Sequence, residues 1–378
     1  MKRILYLQYT NPGGYPPLEH SSRILADAGW QVLFLGTGAV GASGLRFPSH
    51  ERITVRQWEF QPAGWRQKLH YVWFCLWCFG WALRWRPSWI YASDMLSCVP
   101  VLLVSRILHV PVVYHEHDSP SHERKSVFIR TCLLARSACA RRAKLCVLPN
   151  LQRAERFVAE TAPRSPVKII WNCPAYSDVV RGGDSRRGGL RLLYHGSISR
   201  ELIPDSILDV LSTLPADVSL TVVGYETIGS RGYLNDLRAK ASKLELGNRF
   251  TAIGPVSRSE LLKICRCHDV GLALMPKRGP NWNLRTLTGA SNKAFDYLAC
   301  GLALVVSDLP DWQQMFVDPG YGLCCNPDAP ESIAMTIRYL YENPDVRRSM
   351  AKKGQDKILN EWNYETQFQP VLQFLRCS

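Results

Sequence analysis

Four short stretches of this chain carry residue types that could act on a phosphate-bearing, hydroxyl-rich ligand. The first is Ser291-Asn292-Lys293, at the head of an apolar run that closes at Gly301. Ser291 and Asn292 are good N-cap residues and Gly301 a good helix stop. A helix N-terminus offers free backbone N–H groups and a partial positive charge, and Lys293 adds a full one, which suits a phosphate. Asp296, about a turn behind, offers a carboxylate to sugar hydroxyls. The plainer alternative is a capped amphipathic helix with a solvated Lys and Asp. The second stretch, Gly13-Gly14, follows a strand pattern and lets backbone approach a ligand closely. It is not a Gly-x-Gly-x-x-Gly fingerprint, so a nicotinamide or flavin cofactor is not indicated, and a simple tight turn is the alternative. The third, His115-Glu116-His117-Asp118, ends an apolar run, and polar residues at the carboxyl end of a parallel strand mark ligand sites in open α/β sheets. Two His and two carboxylates also raise the question of metal. Alternation along an extended chain sends His115 and His117 one way and Glu116 and Asp118 the other, so a three-ligand site needs help from elsewhere. In the fourth, the strand pattern at 190–194 runs into His195-Gly196-Ser197, read as a loop whose N–H groups again face a phosphate.

The elements that must position these residues alternate strand and helix. Strands are expected at 4–9, 31–35, 53–60, 89–94 with Asp94 as a polar tip, 110–114, 144–150 and 167–171, then at 190–194, 218–223, 250–256 as strand and loop, 270–275, 302–306 and 321–324. A chain of 378 residues suits two α/β domains, expected at 1–175 and 176–355, with a last helical stretch at 356–378. Residues 177–189, with Gly182-Gly183 and Gly188-Gly189, read as the linker. Residues 65–85 are unusual. No charge falls between Leu69 and Leu83, and Trp73, Trp77 and Trp81 form one helical stripe. The uncharged run is too short to span a bilayer. With Arg66, Lys68, Arg84 and Arg86 at its ends it suits a lipid interface, a core helix being the alternative; one face is expected to pack and the other to touch membrane. A long helix at 121–142 carries Arg124, Lys125, Arg130, Arg136, Arg141 and Arg142, which is either a solvated basic face or one drawn to anionic lipid.

Net charge is +14 and unevenly placed: 22 Lys and Arg against 10 Asp and Glu in residues 1–175, but 24 against 22 in the rest. A basic first half implies an anionic partner. No nucleic-acid recognition motif accompanies it. The thirteen cysteines show no paired spacing, Cys75-x-x-Cys78 and Cys324-Cys325 read as packing residues, and Met1-Lys2-Arg3 leads straight into a strand pattern without a signal-peptide core. A reducing, cytoplasmic setting is expected.

The stretch Ser-Asn-Lys-Ala-Phe-Asp-Tyr-Leu-Ala-Cys-Gly at 291–301, followed by an apolar strand ending in Ser307-Asp308, resembles the donor-site helix of family-4 retaining glycosyltransferases of the two-Rossmann-domain (GT-B) type. The resemblance implies an α/β chain of two Rossmann-like domains facing across a cleft. It implies sugar transfer with retained configuration from a nucleotide-sugar to a glycan or lipid-linked acceptor, in cell-surface polysaccharide or glycolipid assembly. Val112-Val113 and His117-Asp118 match a family strand reading Val-Val-x-x-x-His-Asp, which puts His117, beside Asp118, against the transferred sugar and diphosphate. It places Gly14 near the diphosphate and acceptor, Gly196 and Ser197 on the diphosphate, the backbone at Val256 on the base and Asp296 on the ribose. Asn172-Cys173-Pro174 matches the end of the family's first domain, and the last helix is expected to return to that domain. Two departures matter. The family's Arg just after the glycine, and a Lys beyond it, are here Ser197 and the run Glu201-Leu202-Ile203, leaving Arg200, Lys293, Arg278 or Arg285 for the phosphates. The first of two family Glu falls on Thr288, so donor identity does not carry over. No cofactor is expected, no metal need be required, and a peripheral place on the inner membrane face fits the basic, Trp-rich half. A sugar-nucleotide epimerase of the same build, or a non-catalytic GT-B-like binding protein, are the rival readings.

Overall fold

The computed structural model describes residues 2–39, 45–120, 126–179 and 188–377. Arg124 and Lys125 of the expected basic helix, and Gly182-Gly183 of the expected linker, lie outside these. The chain divides into two units, residues 1–172 with 364–378, and residues 173–363.

The first unit is built on seven parallel strands: β1 (Arg3–Leu7), β2 (Gln31–Thr37), β3 (Ile53–Trp58), β4 (Trp89–Ser93), β5 (Val112–His115), β6 (Leu145–Leu148) and β7 (Val167–Ile169). Their order is β3-β2-β1-β4-β5-β6-β7, so the direction of winding reverses between β1 and β4. The central strands are apolar throughout because helices cover both sheet faces. Alternation sends Leu5, Leu7, Ile90, Ala92 and Tyr114 to one face and Ile4, Tyr6, Trp89, Tyr91 and Val113 to the other. The first face is covered by helices Trp65–Trp85, Cys98–Ile107, Val127–Arg142 and Leu151–Thr161. The second is covered by Pro16–Asp27 and the last helix, Tyr364–Cys377.

Helix Trp65–Trp85 begins and ends where the sequence places it. It buries Tyr71, Phe74, Cys75, Cys78 and Ala82, a stripe at helical spacing. The tryptophans do not behave as one stripe: Trp77 and Trp81 pack against the core, while Trp73 is 61% exposed. The outward face is instead Leu69, Val72, Trp73, Leu76 and Leu83, all about half exposed or more. No described helix is long and apolar enough to cross a membrane.

The second unit repeats the plan with six parallel strands: β8 (Leu190–Ile198), β9 (Val218–Glu226), β10 (Phe250–Ile253), β11 (Val270–Ala273), β12 (Ala303–Ser307) and β13 (Gly322–Cys325). Their order is β10-β9-β8-β11-β12-β13, with winding reversed between β8 and β11. One expectation is corrected here. Residues 195–198 are strand, not loop, because β8 and β9 stay paired through Gly196 and Gly224 to Ile198 and Glu226. The two glycines allow this: Gly224 has φ +154°, and a Cβ on it would stand 1.8 Å from the Gly196 carbonyl oxygen. Glycine at Gly271 has a different cause. The Tyr297 ring lies flat on β11 there, and a Cβ would come within 2.1 Å of it.

Candidate functional site

In the second unit, helix Asn292–Ala299 points its N-terminus at the strand-reversal point between β8 and β11. Ser291 caps it, its hydroxyl accepting from the Lys293 N–H at 3.4 Å. The Tyr297 ring anchors it below, its hydroxyl accepting from the His195 N–H at 2.9 Å and donating to the Leu272 carbonyl. Lys293 is thereby laid across Gly196, where a Cβ would come within 3.0 Å of Nζ. Its ammonium also stands 5.6 Å over the Tyr194 ring and makes no ion pair among the described residues. Burial brings the Lys293 pKa down to about 8 against the opposing pull of Asp296. A cation held back from solvent with no direct ion pair among the described residues, beside a glycine and a capped helix start, is built to receive an anion. Asn292 adds a buried amide oxygen without a hydrogen-bond partner among the described residues.

Asp296 is 1% exposed and already engaged. Arg258 donates to its carboxylate through Nη2 at 2.9 Å and Nη1 at 3.4 Å, and to Asp178 through Nη2 at 2.7 Å and Nε at 3.0 Å. The His195 ring stands 3.6 Å from Asp296. Burial raises the Asp296 pKa, opposed chiefly by Arg258. For Arg258 burial lowers the pKa, but Asp296 and Asp178 outweigh it and the guanidinium stays charged. Asp296 thus meets an arginine, where sequence reasoning gives it only a ribose. Arg258 reads in the sequence as part of a helix start, and its neighbours Asp178 and Asp296 are far away along the chain. Val256, two residues before Arg258, is half-buried in the preceding loop.

Of the basic residues considered for the phosphates, Arg200 is 61% exposed and turned to Asp236 at 2.8 Å and Asp205 at 3.8 Å. Arg278 and Arg285 line a cavity of about 310 Å³ together with Ser197, Ser199 and Glu201. That cavity opens at the carboxyl ends of β8, β9 and β11, the edge where parallel sheets bind ligands. Thr288, in the place of the family's first Glu, donates its hydroxyl to Asp311.

In the first unit the polar tip of β5 is held from three sides. Asp94, just past β4, accepts from the His117 N–H at 2.7 Å and the Asp118 N–H at 3.5 Å. It does so at φ +61°, a strained conformation for any residue but glycine. Burial, then the Asp118 charge, pushes the Asp94 pKa up to about 8. Arg153, buried in helix Leu151–Thr161, donates to the His117 carbonyl and to Asp118 Oδ1 at 3.0 Å. Behind them Glu116 is gripped by both arms of Arg136, at 2.6 and 2.7 Å, and by the Tyr114 hydroxyl at 2.6 Å. The His115 and His117 rings lie together, tilted by 38° with centroids 3.8 Å apart, while Glu116 turns to Arg136 and Tyr114. His117 is 5% exposed, and neither ring nitrogen has a hydrogen-bond partner among the described residues. Burial and Arg153 bring its pKa down to about 3, so the ring is neutral, with one nitrogen to donate and one to accept. Among the described residues no group of three His, Cys, Asp or Glu could hold a metal ion. Gly14 ends the short 3₁₀ turn Pro12–Gly14 and is exposed. Asp94, expected as the polar tip of its strand, is joined by Arg153, a functional candidate that the spacing of chemical residues does not reveal.

Two family models match the chain, a "Glycosyl transferase 4-like domain" over residues 18–173 and "Glycosyl transferase-like" over residues 205–373. Among solved structures, the sucrose-phosphate synthase of Thermosynechococcus elongatus is similar at 15% identity and a TM-score of 0.74, covering 100% of this chain and 99% of that one. HepE of Anabaena in complex with UDP and glucose is similar at 18% identity and a TM-score of 0.72, with 100% of both chains covered. A HepE structure with UDP-glucose matches at 19% identity and a TM-score of 0.71, again over both full chains. No curated protein matches by sequence.

Proposed function

We propose, the chain being a family-4-like glycosyltransferase with the GT-B fold, that it moves a sugar from a nucleotide-sugar, with retained configuration, to a hydroxyl of a glycan or lipid-linked acceptor. In this reading the second unit holds the donor. The observation that carries it is Lys293 set across Gly196 at the head of helix Asn292–Ala299. In the reaction the bond from the sugar to the diphosphate breaks and a new bond to the acceptor oxygen forms. Charge then grows on the departing diphosphate, and a preorganised cation with helix amides stabilises it more than it stabilises the bound donor. Arg278 and Arg285 add charge from the adjoining cavity. These groups carry the leaving charge without a metal or cofactor in the proposal. His117, neutral and with both ring nitrogens uncommitted, hydrogen-bonds the sugar side, with Asp118 beside it. The similarity to structures holding UDP and UDP-glucose makes a uridine-diphosphate sugar the first donor to try. The setting proposed is the assembly of surface polysaccharide or glycolipid at the cytoplasmic face of the membrane. It is supported by the basic first half and the outward apolar face of helix Trp65–Trp85.

Thermal melting in the presence of UDP-sugars and other nucleotide-sugars tests the donor site. One donor at a hundredfold over its Kd is expected to add about 2.7 kcal/mol, a rise of several degrees. Lys293→Met is expected to remove most of that rise. No shift with any donor, or an equal shift in Lys293→Met, counts against the reading.

A further inference from the structure

The first unit holds a second concentration of positive charge, at the sheet edge opposite His117 and Asp118. A cavity of about 560 Å³ opens there beside the residues that lead into β5, β6 and β7. Arg106, His109, Arg141, Arg142, Lys144 and Arg164 line it, and no carboxylate does among the described residues. Two of these cations are fixed by the protein's own carbonyls. Arg142 donates to the Ser105 hydroxyl and, at 2.7 Å, to the Ser105 carbonyl; Arg141 donates to the Thr161 carbonyl at 3.2 Å. Such contacts are what cations at helix ends ordinarily make, and they explain Arg141 and Arg142 as caps. They do not explain Arg106, Lys144 and Arg164. These three side chains make no hydrogen bond or ion pair among the described residues, yet they face the same hollow. Five permanent cations around one concavity repel one another unless an anion sits among them.

We propose that this cavity binds a phosphate-bearing group, at a site separate from that of the nucleotide-sugar. Guanidinium forks match phosphate oxygens in pairs, and Arg141 and Arg142 stand ready in fixed positions. The volume admits a phosphate with part of the molecule that bears it. Leu134, 73% exposed, lies one helical turn before the cavity-lining Ala138, and Ile107, 53% exposed, follows Arg106. An apolar rim beside a phosphate pocket suits a headgroup presented at a lipid surface; a free phosphate compound would use the same pocket without the rim.

The test uses the full chain, a triple variant Arg106→Ala/Lys144→Ala/Arg164→Ala that spares the two fixed arginines, and a control triple Arg348→Ala/Lys352→Ala/Lys353→Ala with the same loss of charge. Titration calorimetry with inorganic pyrophosphate is run on these and on Lys293→Met, and co-sedimentation on vesicles of phosphatidylcholine with phosphatidic acid. A site in this cavity loses affinity about tenfold or more in the first triple, and neither in the control nor in Lys293→Met. Loss confined to vesicles identifies a lipid headgroup, and loss confined to pyrophosphate a soluble phosphate. Equal behaviour of the two triples in both assays would overturn the proposal, since charge alone would then be responsible.

Discussion

The Lys293 ammonium shows how one residue's surroundings set a measurable pH dependence. Its pKa of about 8 lies below the ordinary lysine value, so the empty site costs stability that is absent above about pH 10.4 and grows as pH falls toward 8. A bound diphosphate reverses the sign by pairing the cation. Donor binding is therefore expected to take up a proton above pH 8. UDP affinity should be level below pH 8 and fall by up to tenfold per unit above it, and Lys293→Met should bind weakly at every pH. Calorimetry of UDP binding in buffers of different ionisation enthalpy counts that proton directly; none at pH 9 would rule the arrangement out. Asp94 has the opposite sign. Its carboxyl is raised to about 8, so it adds stability that is complete below about pH 4 and is lost progressively up to about pH 8. Asn keeps an acceptor oxygen for the His117 N–H and carries the same backbone strain as Asp at φ +61°, so that strain cancels in the comparison. Asp94→Asn should thus melt higher than the parent at pH 8 and no higher at pH 4, and a difference independent of pH would reject the buried-carboxyl explanation. His117 and Lys293 could be picked out from sequence because each lies in a local pattern. Asp94 shows in the sequence only as the polar end of its strand and Arg258 only as part of a helix start, because their roles come from partners that other elements bring in: the end of β5 for Asp94, Asp178 and Asp296 for Arg258.

Elements whose apolar pattern is continuous were legible with small errors at the ends. Helix Trp65–Trp85 matches residue for residue, and β12 begins one residue later than expected. The pattern failed where glycine and polar residues continue a strand. Residues 195–198 look like a loop by composition and are strand because β9 supplies a partner through Gly224, information that no local window holds. The tryptophan stripe shows a related limit. Spacing says which residues share a helix face, but only the neighbouring helices decide how much of that face is covered. At Gly271 packing is tight enough to predict a cost. Alanine would put a methyl group into the Tyr297 ring, and both the strand and the helix that ring anchors would have to give. Overpacking of this kind costs about 1–3 kcal/mol, sometimes more. Gly271→Ala is expected to lower the urea midpoint accordingly and to weaken UDP binding, since Tyr297 supports the helix that carries Lys293. Gly80→Ala, inside a helix where a Cβ meets open space, is the contrasting control: it should raise the urea midpoint slightly, by about 0.5–1 kcal/mol of helix propensity, and leave UDP binding unchanged. Normal stability in Gly271→Ala would mean that Tyr297 does not seat the helix as described.

At the level of the whole chain, charge and fold follow different rules. Both halves adopt the same parallel-sheet plan, yet nearly all the excess positive charge belongs to residues 1–175. The fold does not need this charge, and its placement was readable from sequence because it depends on counting alone. What sequence left open is which surface accompanies it. The structure puts an outward apolar strip on helix Trp65–Trp85 in that same unit. Two terms then act on a membrane surface: a charge term that salt screens, with a Debye length of about 10 Å at 0.1 M, and an apolar term that salt leaves alone. They separate in one experiment. Sedimentation with anionic vesicles should fall steeply as salt rises from about 50 to 500 mM, because exposed charges act through solvent. Leu69→Gln/Trp73→Gln/Leu76→Gln should lower binding at every salt concentration while leaving the slope unchanged. The KM for a nucleotide-sugar should move far less over the same range, since its cation, Lys293, is largely withdrawn from solvent. If KM followed vesicle binding through the salt series, the donor would be held by the general basic surface, and the division of labour between the two units would not stand.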